Sequence, residues 1–358
     1  MENPIVENIV LSKKLINKIK EATQEQINIM EVCGTHTMSI YKYGIDKLLK
    51  GKINFLSGPG CPVCVTSTAY IDEAIELLNN DKVMLVTFAD MLRVPGSKSS
   101  LAIERSKGKK IKIIYTPLDL IKIAEDNKKM EVVFLAVGFE TIAPIYADVI
   151  IKAYEKGISN LSFILSVKRM PNIMAELLED KEIKVQGLLC PGHVAAITGT
   201  KDFENLAIKY NIPMIVSGFN SVEILSSVYK LVEMIKEKDY RCLNYYESIV
   251  KRDGNKTALL KIAEVFENNA SYWRGMGRIA DTGFTLKEKY KQFDAAIKFN
   301  LTIDEHEKSN GCLCGNIIKG KNSPTDCRYF GKVCTPTNPL GPCMVSQEGT
   351  CSNYYKYH

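Results

Sequence analysis

Eight short runs of β-branched and other apolar residues constrain the fold more than any other feature of this chain. They are Ile27–Val32, Ile53–Leu56, Val83–Thr87, Ile111–Tyr115, Val132–Val137, Leu161–Val167, Val185–Leu189 and Met214–Ser217. Each is stopped by Gly or Pro and followed by a helical pattern. Runs apolar on both faces suit strands of a parallel sheet covered by helices. Their alternation with helices reads as βαβ units. After Cys64, Thr66 or Ser67 is a suitable N-cap, and Ile71, Ile75 and Leu78 then share one helical face. A second helix is expected from about Ser221 to Lys236, and a third over Thr257–Asn268.

The runs divide into two successive sets of four, with a break in the polar stretch Glu125–Lys129. The expected fold is therefore α/β, with two successive Rossmann-like parallel α/β domains, 1–125 and 126–238. A third region, 239–358, is helical at first. From Ser309 onward it is rich in Cys, Gly, Pro and Asn, with no sustained periodicity. Such a segment cannot build an apolar core of its own, so it folds around a metal or lies against the rest of the protein.

Composition excludes several function classes. The 47 basic and 41 acidic side chains are spread along the 358 residues, and no long basic block offers a footprint for nucleic acid. No apolar run reaches the roughly 18–20 residues that a membrane helix needs. The first 20 residues are interrupted by charges and lack a signal-peptide core. A cytoplasmic location is expected, and there the 11 cysteines stand out. Six of them (Cys312, Cys314, Cys327, Cys334, Cys343, Cys351) fall in the last 47 residues. In a reducing compartment such a cluster points to metal before disulfides. Structural zinc sites usually carry close C-x-x-C knuckles, which this region lacks. Its wide spacing favours an iron–sulfur cluster over zinc, though both take four sulfurs.

Ligands of an open α/β sheet bind beyond the carboxyl ends of its strands. The polar motifs here sit at such ends: Cys33-Gly-Thr-His-Thr37, Gly58-Pro-Gly-Cys-Pro-Val-Cys64, Gly138-Phe-Glu-Thr141 and Pro191-Gly-His193. They are expected to share one cleft. Cys61 and Cys64 form a C-x-x-C pair at a helix N-terminus, where thiolate is favoured and a disulfide closes reversibly. The plainer reading is half a zinc site, but the chain has no second C-x-x-C. Cys33 is a lone thiol with His36 three residues on, placed to take its proton; alone it would pass for a buried small hydrophobe. Glu140 and His193 are candidates of the same cleft, each equally able to satisfy loop backbone. Cys190 and Cys242 read as structural, and His306 and His358 as solvated. Gly275-Met-Gly277-Arg-Ile-Ala280 fits a dinucleotide fingerprint loosely but follows no expected strand, and a Walker loop is absent.

Together these blocks resemble the HypD family of hydrogenase maturation factors over nearly the full length. The resemblance rests on CGTHT, GPGCPVC, DMLRVPGS, GFET, PGHV and FDA in that order, then on PTDCRYFGKVCTPTNPLGPCMVSQEGTC and YYKY. It implies a scaffold on which the Fe(CN)2CO group of [NiFe] hydrogenase is assembled, together with a HypC-type chaperone and a HypE-type cyanide carrier. The family spacing C-x14-C-x6-C-x16-C implies a [4Fe-4S] cluster on Cys312, Cys327, Cys334 and Cys351, leaving Cys314 and Cys343 unassigned. It also implies that Cys33 binds the iron of the fragment. Cys33 and His36 carry over from the CGTH motif, whereas Thr37 does not. A cluster beside a dithiol also resembles ferredoxin:thioredoxin reductase, which implies electrons passing from cluster to Cys61 and Cys64. A different class of function stays open: a general [4Fe-4S]-dependent thiol–disulfide reductase acting on protein partners. A zinc-stabilised binding module without redox chemistry is a third.

Overall fold

The computed structural model describes residues 4–301 and 311–358. All eight apolar runs are strands: β1 Ile27–Glu31, β2 Ile53–Ser57, β3 Val83–Thr87, β4 Ile111–Ile113, β5 Glu131–Gly138, β6 Leu161–Val167, β7 Gly187–Pro191 and β8 Met214–Ser217. Three more follow: β9 Cys242–Asn244 and the pair β10 Phe266–Trp273 and β11 Gly277–Leu286. Two parallel α/β sheets with a cysteine-rich C-terminal region are the expected architecture.

The strands are shared out differently from the expected halves. One sheet runs β2-β1-β7-β8-β9 and the other β4-β3-β5-β6. The second sheet is thus inserted between β2 and β7 of the first. Glu125–Lys129 falls within the inserted unit, spanning the end of the helix Asp119–Asp126 and the turn towards β5. The physical reason is plain: burial on both faces makes every strand equally apolar, so composition carries no record of which strand is its neighbour.

This order puts a topological switch point in each sheet. From β1 the chain steps to β2 on one side, while β7, β8 and β9 extend the other. The crevice over the ends of β1 and β7 is where such sheets take ligands. In the inserted sheet the switch lies between β3 and β5. Cys33 and His193 follow the first pair of strands, and Glu140 follows β5. Glu140 therefore belongs to the rim of the other sheet.

Local sequence fixes the covering helices. Ser67 caps the helix Thr68–Leu77, its hydroxyl accepting from Tyr70 N. Asn220 and Glu223 form a capping box on the helix Ser221–Glu237. That helix and Pro4–Ala22 cover one face of the first sheet through Leu15, Ile19, Leu225, Val228 and Val232. The helix expected to reach Asn268 stops at Val265, because Phe266 is extended (φ −111°, ψ 152°) and opens β10. Gly275-Met-Gly277 is the tip of the β10–β11 hairpin, so it follows a strand but precedes another strand and no helix. The cysteine-rich segment lies against the body: Cys314, Ile317, Ile318, Met344 and Val345 join the main core. His306 lies outside the described residues. His358, expected in solvent, is exposed, and its ring also pairs with Asp46 (2.7 Å) and stacks on Tyr354 at 4.1 Å. No helix among the described residues is long and apolar enough to cross a membrane.

Phe134, fully buried on β5, meets Phe88, Tyr146 and Phe163 edge-on at 5.5–5.9 Å. Phe134→Ala leaves a cavity at that junction and is expected to cost about 3–5 kcal/mol, read as a lower urea midpoint.

Candidate functional site

The site begins where β1 and β2 end side by side. Gly58 N donates to Glu31 O (2.7 Å) and Gly34 N to Gly60 O (2.9 Å), continuing the ladder past the strands. Gly60 lies so close that a Cβ there would overlap the backbone of Cys33. The glycine of the second motif is what lets the thiol-bearing turn approach the first motif.

Cys33 is extended (φ −144°, ψ 122°) and starts the helix Gly34–Lys42, its carbonyl accepting from His36 N and Thr37 N. Burial pushes its thiol up to about 12, and the charge of Glu348 adds to the effect. Left to itself, Cys33 keeps its proton. A thiol in this position gives it up only to a cation that takes its place on sulfur.

His36 is fully buried. Its Nε2 lies 2.9 Å from Gly218 O, and its Nδ1 has no partner. A carbonyl accepts only, so Nε2 carries the proton and Nδ1 presents a lone pair. Burial pulls the ring down to about 4, so it stays neutral at physiological pH. Gly218 is held by the capping box beyond it, where Glu223 Oε2 accepts from Phe219 N and Asn220 N. Phe219 then lies between the histidines: its ring is 4.7 Å from His36 and 4.0 Å from His193. His193 contributes this stacked face, and burial lowers its pKa.

Cys61 and Cys64 are joined as a disulfide across the turn Pro62–Val65, with Cα atoms 5.2 Å apart. Ser346 Oγ, from the cysteine-rich segment, lies 3.3 Å from Cys61 Sγ. Both cysteines are buried.

Sequence reading missed two carboxyl groups here. Glu31 accepts from Thr37 Oγ1 (2.6 Å), and its other oxygen is buried without a partner. Burial pushes it up to about 8, against the hydrogen bond of Thr37. An acid closing the apolar run Ile27–Met30 was the available signal, and Thr37 gains a role through it. Glu348 accepts from Thr35 Oγ1 (2.8 Å) and packs on Gly34. Burial raises its pKa too. It sits in an irregular segment that gave no signal.

Glu140 is apart from these groups. Its Oε1 accepts from Met170 N (2.8 Å), while Oε2 is buried without a partner. Burial raises it to about 7. Among the described residues no hydrogen bond joins it to Cys33, His36, Cys61 or Cys64.

The C-terminal cysteines gather at the far side of the disulfide. Cys314 neighbours Cys343, which in turn neighbours Cys351. Cys312 lies within electrostatic reach of Cys314, Cys327 and Cys334, and Cys351 of Cys312 and Cys334. Among the described residues no three donors converge on one point, as the ligands of a single ion do. A cubane makes a different demand, since each thiolate binds its own iron. Cys334 Sγ accepts from Leu340 N (3.4 Å) and Cys343 Sγ from Cys351 N (3.4 Å). A Cβ at Gly341 would stand 3.1 Å from Cys312 Sγ, so this glycine keeps the sulfur accessible. A cavity of about 480 Å³ adjoins, lined by Cys312, Cys314, Arg274, Gly275, Gly315 and Gly341 among others.

The family model labelled HypD and described as the hydrogenase formation hypA family matches residues 10–358. The chain belongs to the HypD family. A HypD maturation factor of Rhodobacter capsulatus is 38% identical over 349 residues, covering 96% of this chain and 93% of the relative. The HypD factor of Cupriavidus necator is 35% identical over 341 residues (93% and 90%), and that of Azotobacter vinelandii 36% over 341 (93% and 90%). This chain is thus a HypD-family hydrogenase maturation factor along its whole length, not a shared module.

Two outcomes follow. Gly60→Ala forces the turn away from Cys33; a loss of about 1–3 kcal/mol is expected, with faster alkylation of Cys33. Glu140 ionises near pH 7 when folded and near 4.5 otherwise. The folded state therefore holds the extra proton between these values, and stability falls as pH rises through that window. Glu140→Gln keeps the acceptor for Met170 and should remove on the order of 2 kcal/mol of the decline between pH 5 and 8, measured by urea unfolding.

Proposed function

We propose that this protein is the scaffold on which the Fe(CN)2CO fragment of [NiFe] hydrogenase is assembled, working in the cytoplasm with a HypC-type chaperone and a HypE-type cyanide carrier. The observation that carries the reading is the direct abutment of Cys33 on the Cys61–Cys64 turn, sealed by the Gly34–Gly60 hydrogen bond. A thiol for the metal and a redox pair then share one water-poor crevice.

Cys33 would bind the iron of the fragment, exchanging its proton for the metal. His36 would accept a hydrogen bond at Nδ1, its ring held by Gly218 and Phe219. Cys61 and Cys64 would cycle between disulfide and dithiol, each reduction taking two electrons and two protons. Cys312, Cys327, Cys334 and Cys351 would hold a [4Fe-4S] cluster; their all-thiol donor set, with three of the four buried and Gly341 leaving Cys312 room, supports that assignment. Such a cluster supplies single electrons. Ser346 links the same segment to Cys61. The burial of Cys61 and Cys64 disfavours the general reductase, whose disulfide substrate must reach a sulfur.

The test uses the protein purified without oxygen beside its HypC-type partner. Wild type should be brown, with about four irons and four sulfides, and should show infrared bands of bound CO and cyanide. Cys33→Ala should keep the visible absorption and lose the infrared bands. Full loading of the fragment onto the variant would remove Cys33 as its ligand, and a colourless protein that holds zinc would remove the electron relay.

A further inference from the structure

The glycine-rich tip of the β10–β11 hairpin has no part in the function proposed above, yet it carries Arg274, a residue only 8% exposed. Arg274 reaches directly onto the end of the disulfide-bearing turn. Its backbone N donates to Val65 O (2.9 Å), and Nε and Nη2 both donate to Thr66 O (3.0 and 2.8 Å). Nη1 donates to Thr68 Oγ1 at 3.0 Å. The next residue, Gly275 (φ +73°), meets Gly315 so closely that neither has room for a side chain, which places the hairpin tip against the loop of Cys314.

We infer that Arg274 is a positioning residue for the Cys61–Cys64 pair, closing the carbonyl end of its turn and shifting its equilibrium towards the dithiol. The inference rests on the redox role proposed for that pair. Opening the disulfide places negative charge on sulfur whenever a thiol ionises. The carbonyls of Val65 and Thr66 follow Cys64 at once, and their oxygens oppose that charge. A buried cation bound to one of them in a forked geometry cancels the opposition, and a charged donor does so more strongly than a neutral one. Arg274 also lines the same cavity as Cys312 and Cys314. One side chain on a rigid hairpin therefore serves the redox turn and the cysteine-rich loop together.

The test equilibrates the full chain, purified without oxygen, in mixtures of dithiothreitol and its oxidised form. The peptide bearing Cys61 and Cys64 is then quantified by mass spectrometry after acid quenching and alkylation. Two electrons and two protons pass from dithiothreitol to the protein disulfide as the reagent closes its own ring. Arg274→Gln is expected to favour the protein disulfide about tenfold, a shift of ~30 mV to more negative potential. Arg274→Lys, with charge but no fork, should recover part of that shift, and Thr68→Val should move it about twofold in the same direction. A folded Arg274→Gln with the wild-type potential overturns the inference. If that variant does not fold, an unchanged potential in Thr68→Val overturns it instead. A wild-type disulfide that never opens overturns the redox role itself, and with it this inference.

Discussion

Two backbone hydrogen bonds beyond the ends of β1 and β2 hold the rest together: Gly58 to Glu31 and Gly34 to Gly60. Parallel strands normally diverge into separate loops at their ends. Here the ladder continues for three residues, which only glycine permits at this spacing. The continuation buries Cys33, places the disulfide turn over it and traps Glu31 underneath. Every other feature of the site answers to that closure.

One consequence is electrical. Cys33, Glu31 and Glu348 are each shifted towards the protonated form, and His36 towards the neutral one. Burial is the leading cause in all four cases. The crevice thus disfavours charge on each of these groups, and it holds two buried atoms without a hydrogen-bond partner, Nδ1 of His36 and an oxygen of Glu31. A cation entering it meets groups that can release protons rather than groups already paired. Stability is given up for this, since buried unpaired polar atoms each carry a desolvation penalty.

The sequence declared the strands well and their neighbours poorly. Residues such as Val132–Val137 announce a strand buried on both faces, but nothing in them distinguishes a partner in β3 from one in β1. The sheet order follows from long-range register, as in Ile29 opposite Gly187, which local composition does not encode. β9 was missed because three half-buried residues carry no pattern, and β10 because Glu267-Asn-Asn269 breaks the alternation. At the site, Cys33, His36 and the C-x-x-C pair stood out as reactive residues beside glycine. Glu348, Ser346 and Arg274 did not, because their roles exist only once distant segments meet. The expected shared rim was correct for Cys33, Cys61 and His193 and not for Glu140, whose strand lies in the inserted sheet.

That insertion has a consequence in time. β1 meets β7 across 158 residues of chain, as the bond from Asn28 to Gln186 records. Between them the ribosome delivers the whole second sheet, whose strands are contiguous in sequence and can pair as they emerge. Cys33 leaves the ribosome among the first residues, but its crevice has only one wall until β7 and the loop of Gly218 arrive. The cysteine-rich segment follows later still. The order of synthesis therefore separates the two in time: the nascent chain carries the thiol well before its enclosure, and Cys33 stays open to solvent until the body of the protein is in place.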